Sequence, residues 1–200
     1  YSSKCIRISQ CNNTTPQGHS GGLALLWKDN VCLSKISQDE RHIDVNLSIN
    51  NINFYLSCVY GHPCQSERHY LWTHFETLSL TRNDPWILIG DFNEILSNAE
   101  KIEGPPRDDW TFRDFRRMLA TCDMEDIRST SDKFTWVGER HNHTVKCCLD
   151  RAFINTEGAA IFPYAEIEFL DFTGSDHIPL LLTLEKLETP KIRPFRFDKR

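Results

Sequence analysis

Three short stretches of this 200-residue chain have residue types and spacing that could do chemistry. The sharpest is Gly90-Asp91-Phe92-Asn93, which follows the apolar run Pro85-Trp86-Ile87-Leu88-Ile89. A carboxylate and an amide therefore emerge where a buried strand ends, and two residues apart on extended backbone they point the same way. A hard oxygen ligand beside a donor/acceptor suits a phosphate or a magnesium-bound water. The same letters also spell an ordinary Asx turn. Ser175-Asp176-His177 comes just before the apolar segment 178–184. Its histidine could act as acid or base near neutral pH and its aspartate could ligate metal, though a surface turn would use the same residues. The third is Asp150 in Cys147-Cys148-Leu149-Asp150-Arg151, with core-like Leu149 and Phe153 on either side. An acid embedded there needs a partner. A histidine ring is the natural one, because a carboxylate fixes its tautomer and supports its charge; a surface pair with Arg151 is the competing reading.

Other candidates are weaker. Tyr60, ending a strand before Gly61, could touch a phosphate or simply pack, and Phe134 and Trp136 could meet a base or fill a core. Arg113, Arg116 and Arg117 form a basic helical face open to a DNA backbone or to water. His62, His69 and His74 lack same-face ligand spacing, and Gly18-His19-Ser20-Gly21-Gly22 lacks the lysine of a nucleotide-binding loop. The eight cysteines form no CxxC pair, which argues against a zinc knuckle and reads as small buried hydrophobes in a reducing compartment. Twenty-eight acidic against 23 basic residues give a net charge of −5, so bulk positive charge is not how this chain would hold nucleic acid. No apolar run reaches bilayer length.

The elements that must position these groups follow from periodicity. Strands are expected over 23–27, 31–36, 42–49 and 52–60 as an antiparallel meander, and a helix over 66–80, whose Leu71, Trp72, Phe75 and Leu78 share one face. A central strand over 85–89, a helix over 111–121 and strands over 134–137, 147–153, 165–169 and 178–184 complete the pattern. Strands outnumber helices, so the economical architecture is a two-layered β core with flanking helices. Residues 1–17 read as a ragged start, 18–185 as the domain and 186–200 as a charged linker.

In chain order, Gly90-Asp91-Phe92-Asn93, Phe134-Thr135-Trp136, Leu149-Asp150-Arg151 and Ser175-Asp176-His177 resemble the endonuclease/exonuclease/phosphatase superfamily. The likeness is nearer still to the endonuclease domain of plant LINE-type (non-LTR) retrotransposons. Residues 19–27, Val59-Tyr60-Gly61, the stretch from Pro85 to Glu94 and Phe195-Arg196-Phe197 read like that group's text. The resemblance implies a four-layered α/β sandwich of two mainly antiparallel β-sheets flanked by helices, and hydrolysis of DNA phosphodiesters with Mg2+, Mn2+ being the substitute. It implies that Asp91 binds or activates water, that Asn93 holds water and scissile phosphate, and that Tyr60 reaches the phosphate. His177 would stabilise charge on the phosphate or serve as general base, oriented by Asp150. Asp176 would lie with Asp91 at the metal, and Trp136 would support the DNA-facing wall. The partners so implied are DNA and a covalently linked reverse transcriptase, with no membrane, in the nucleus or cytoplasm. The group's Asn-Arg-Gly-like motif and its metal-ligand glutamate normally precede Ser20-Gly21-Gly22 by tens of residues. Residues 1–17 contain no acid, and Cys148 stands where a basic residue is usual. The expectation is a domain short of its first strands, with hydrolysis impaired or lost. An inactive nucleic-acid-binding domain and a small-substrate phosphatase are the alternatives.

Overall fold

The computed structural model describes residues 10–13, 22–129, 134–140, 143–171 and 174–185. In chain order its strands begin with β1 (Gln10–Asn13), β2 (Ala24–Trp27), β3 (Cys32–Gln38), β4 (His42–Ile49) and β5 (Ile52–Tyr60), followed by helix α1 (Arg68–Ser79). Next come β6 (Trp86–Asp91), β7 (Lys101–Ile102), helix α2 (Arg113–Thr121) and β8 (Met124–Asp126). The chain continues through β9 (Trp136–Arg140), β10 (His143–Cys147), β11 (Asp150–Asn155), helix α3 (Thr156–Ile161), β12 (Glu166–Phe169) and β13 (Leu180–Thr183).

The expected meander is present. β3, β4 and β5 pair antiparallel in sequence order, and the β4–β5 turn places Asn50 and Asn51 at φ 51° and 64°, the left-handed pair a tight hairpin demands. From β5 the chain crosses through α1 to the parallel neighbour β6, and β11 and β8 complete a six-stranded sheet in the order β3-β4-β5-β6-β11-β8. Alternation then assigns the two faces. Val59, Trp86, Leu88 and Phe153 meet Trp72 and Phe75 of α1 and Phe115, Met118 and Leu119 of α2. Ile43, Val45, Phe54, Ile87, Ala152 and Ile154 form a second core with Phe162 after α3 and Ile167 of β12, against which Leu25 of β2 and Leu180 and Leu182 of β13 pack. Helices, a full sheet and a second strand layer give the layered α/β sandwich.

Several elements lay outside the sequence expectations. β10 is a hairpin partner of β9, and β7 pairs on its far side; Cys147 therefore belongs to β10 and not to the strand that carries Asp150. Gln10–Asn13, inside the segment read as a ragged start, pairs antiparallel with β2. Residues 18–21 and the expected linker 186–200 lie outside the described residues. The cysteine reading holds in part. All seven described thiols are free, and Cys122, Cys147 and Cys148 are buried, but Cys11, Cys32 and Cys64 are exposed. Burial pushes the thiol of Cys122 up to about 12 and that of Cys148 up to about 11, which removes them as nucleophiles.

The helix-facing side of β4 is polar. Asp44, fully buried, accepts from Ser57 Oγ at 2.6 Å and is paired with Arg82; Ser57 Oγ in turn accepts from Trp86 Nε1 at 2.9 Å. The Arg82 guanidinium is sandwiched over the Tyr55 and Trp86 rings, 4.4 and 4.5 Å from their centroids. Removing one charge strands the other. Asp44→Ala should cost about 3–5 kcal/mol in urea unfolding, and Asp44→Ala with Arg82→Met should recover much of it. A single variant no worse than the double would refute the pair's role.

Candidate active site

Register brings the chemistry together. Asp91, the last residue of β6, is the direct cross-strand partner of Asp150, the first of β11, and on its other side pairs with Tyr60, the last of β5. All three fall on the face of Cys58, Ile89 and Ala152, which the second strand layer covers. The segment 174–179, just before β13, lies beside Ile89 and Asp150 and delivers His177. It is fastened to β9: Val137 N–H donates to the Asp176 carbonyl at 3.0 Å, and Ile178 N–H to the Thr135 carbonyl at 2.7 Å.

β5 and β6 close tightly here. A Cβ on Gly90 would meet the Val59 carbonyl oxygen at 2.1 Å, and Gly90 has φ +142°, so only glycine fits immediately before Asp91. Asn93 sits at φ 52°, held by its own N–H to Asp91 Oδ1 at 2.7 Å and by its amide to Asp91 Oδ2 at 2.8 Å and the Gly61 carbonyl at 2.9 Å. It is thus an Asx turn, the bland reading of this motif, and at the same time a rigid mount for two site groups.

His177 Nδ1 lies 2.8 Å from Asp150 Oδ2, which leaves Nε2 facing Asp91 Oδ2 at 4.0 Å. The backbone N–H groups of Leu149 and Asp150 both donate to Thr135 Oγ1, at 3.0 and 2.8 Å, so a fully buried hydroxyl sets the start of β11. Asp91, Asp150 and His177 each offer a ligand atom, and these atoms lie within 4.8 Å of one another. Burial, reinforced by the charge of Asp150, raises the Asp91 carboxyl to about 6. The hydrogen bond that His177 donates to Asp150 holds the imidazole above its ordinary value. Two carboxylates in register repel, and a divalent cation between them relieves that repulsion, so this donor set fits a metal.

With that geometry in view, comparison with known proteins gives a consistent answer. The sequence profile of the Endonuclease/Exonuclease/phosphatase family matches residues 3–177. The chain belongs to that family. Among solved structures it is similar to the endonuclease domain of TRAS1, a telomere-specific non-LTR retrotransposon, at 15% identity and a TM-score of 0.69, over 90% of this chain and 81% of that one. It is also similar to the 3'-5' exonuclease NExo from Neisseria meningitidis, at 15% identity and a TM-score of 0.61, over 88% and 80% of the two chains. A truncated TDP2 from Caenorhabditis elegans aligns at 14% identity and a TM-score of 0.55, over 86% and 74%. At such identities the likeness is one of fold. No curated protein matches in sequence.

Within this Endonuclease/Exonuclease/phosphatase domain, Asp91, Asn93, Asp150 and His177 converge, and half-buried Tyr60 stands at the same strand ends with Arg41 5.3 Å over its ring. Asp176 is placed differently. Its carboxylate accepts from the Trp136 indole Nε1–H at 3.0 Å, which also lowers its pKa, and it is not among the three grouped ligands. Trp136 is buried and clamps the histidine loop through that bond. Arg116 and Arg117 are engaged by Asp109, Asp114 and Glu76, which leaves them little reason to seek a backbone phosphate. Sequence reasoning quoted Thr135 and Glu94 within motifs but gave neither a role; Glu94 is a buried carboxylate bridging Arg68 at 2.7 Å and Arg107 at 2.6 Å directly after Asn93. The signal for Glu94 was an acid lodged between Phe92 and Ile95, which cannot stay buried without cations.

Without metal, both shifts act in one direction with pH. Asp91 is raised above its unfolded value, so folding favours its protonated form below about pH 4 and loses that contribution as pH rises through about 6. His177 is also raised; its contribution is full below about pH 6.5 and fades as pH climbs through its folded value. Melting temperature in EDTA should therefore fall between about pH 5 and 8. Mg2+ should raise it more at the upper end, and Asp91→Asn should flatten both trends. A metal effect identical at the two extremes, or unchanged in Asp91→Asn, would contradict the site.

Proposed function

We propose that this domain hydrolyses phosphodiester bonds in DNA with a divalent cation, Mg2+ or Mn2+. The observation that carries the reading is the Asp150–His177–Asp91 line, in which one imidazole nitrogen is fixed by a carboxylate and the other is turned to a second carboxylate raised to about 6. A carboxyl titrating near neutral pH suits a general base. Asp91 accordingly takes the proton of the attacking water, whose oxygen forms the new P–O bond as the bond to the sugar oxygen breaks; that oxygen keeps the electron pair and takes its proton from solvent water. Asn93 holds water and scissile phosphate in line, and Tyr60 reaches a non-bridging oxygen. Asp150 keeps His177 protonated and oriented, so that its Nε2–H donates to the phosphate as negative charge builds. Asp176, fastened to Trp136, adds its charge near the cation. The two carboxylates Asp91 and Asp150 would hold the cation, which would supply neutralisation of phosphate charge and a lowered pKa for bound water; His177, protonated for its contact with the phosphate, would not be a ligand in that state. The retrotransposon affiliation, and within it the plant LINE-type group with a linked reverse transcriptase, rests on the ordered motif set. A basic cleft beside Asn93, described below, favours a polynucleotide over a small phosphate ester.

Nicking of supercoiled plasmid by the purified chain tests this. Activity should require Mg2+, vanish in EDTA, and fall on the order of 10²–10⁴-fold in His177→Ala. Asp150→Asn should lower the rate and shift its pH profile, because the ring loses its charge-supporting partner. A folded wild type that never nicks, or nicking indifferent to His177, would reject hydrolysis at this site and leave the inactive nucleic-acid-binding reading.

A further inference from the structure

Beside the catalytic constellation, on the far side of Asn93, opens a cleft of about 410 Å3. Its described lining includes Arg68, Lys101, Arg107 and Arg140 and no carboxylate, in a chain whose net charge is −5. Concentrating cations in one hollow of an acidic protein has a cost, since each repels the others, and here the fold takes explicit steps to hold them. Glu94 lies buried beneath and pairs with Arg68 and Arg107. Arg68 is further fixed by donating to the carbonyls of His62 and Pro63, at 2.7 and 2.9 Å. The Gly104-Pro105-Pro106 wall is stiffened by its prolines, and Asn98 clamps the backbone of Arg107 through both its amide nitrogen and oxygen, each at 2.8 Å. Lys101 Nζ donates to the Pro105 carbonyl, which orients the ammonium and leaves two of its protons free. Exposed Arg140 lies over the Trp136 ring, 4.9 Å from its centroid, at the cleft mouth. One carboxylate against four cations leaves a positive site with donors held in place, and Asn93 is shared between it and the catalytic group.

We propose that this cleft is a second phosphate subsite, which seats a backbone phosphate neighbouring the scissile one, with Lys101 and Arg140 as its contacts. The assignment rests on the phosphodiesterase reading of the adjacent residues and sharpens it: the substrate must be a polynucleotide, because a small phosphate ester has nothing to place there. Pre-oriented cations also explain how an acidic chain meets DNA, by a local field instead of by net charge.

The test is binding of a short fluorescent DNA duplex by the full chain in EDTA, followed by anisotropy across a salt series, so that no hydrolysis intervenes. Each phosphate contact contributes about 0.9 to the slope of log K against log salt, so Lys101→Ala and Arg140→Ala should each flatten the slope by about one. Lys101→Arg should keep the slope and guard against a folding artefact. Arg117→Ala, whose guanidinium is satisfied by Glu76 and Asp114, should leave it unchanged. Equal slopes in wild type and the two cleft variants would overturn the subsite, as would flattening by Arg117→Ala to the same degree or no duplex binding at all. Plasmid nicking that survives such a result would show the subsite wrong and the hydrolase reading intact.

Discussion

Two like charges in direct register govern the arrangement of this domain. Asp91 and Asp150 are cross-strand partners on neighbouring antiparallel strands, a placement that destabilises a sheet when nothing intervenes. The surroundings are organised around that repulsion. His177 enters from the second strand layer and bonds one carboxylate while facing the other. Asn93 donates twice to Asp91, and the Thr135 hydroxyl receives the N–H groups at the base of Asp150. None of this outweighs burial, the larger cause, together with the charge of Asp150, and Asp91 stays raised to about 6. A pair held together by its scaffold while still repelling is the electrostatic setting in which a divalent cation or a proton binds readily.

The scaffold tolerates such strain because the rest of the sheet is conventional. Both faces of β6 and β11 are sealed by apolar cores, one against α1 and α2 and the other against β2, β12 and β13. Along β6 the only charged side chain is Asp91, at the end of the strand. Gly90 allows β5 to approach within a distance no side chain permits, so the ends of β5 and β6 are set by backbone contact. Backbone contact is stiff, which matters where reacting atoms must be held to fractions of an ångström.

This division explains what could be read from the residues alone. β4 and β5 were legible to the residue, because partial alternation over 42–49 and a run rich in apolar and aromatic residues over 52–60 are local signals. Asp91, Asn93, Asp150 and His177 were legible as chemistry through the order of their motifs along the chain, since each motif alone also spells a turn or a surface pair. Their convergence was not. The Asp91–Asp150 register depends on a pairing between positions 59 apart in the sequence, and no local pattern fixes it. The role of Thr135 was not legible because a buried threonine looks like any β-branched strand residue until the N–H groups of Leu149 and Asp150 are seen to need an acceptor. β10 was missed because His143-Thr144-Val145-Lys146-Cys147 buries only Val145 and Cys147, too short an alternation to separate from loop.

Glu94 shows how site and cleft are one construction. A buried carboxylate bridging two arginines is rarely a net source of stability, because removing three charges from water offsets most of the attraction. Hydrophobic residues would serve the core as well. What they could not do is fix two guanidinium groups beside Asn93 while leaving the cluster positive. The same residue follows the catalytic turn by a single position, so the turn that aims Asn93 toward Asp91 on one side aims Glu94 beneath the cleft on the other. The distance between the two regions is therefore set by one stretch of backbone, Asp91-Phe92-Asn93-Glu94, whose Phe92 is fully buried between α1, α2 and β11. Chemistry on one side and charge on the other are held at a fixed spacing, as a ligand of regularly spaced phosphates requires.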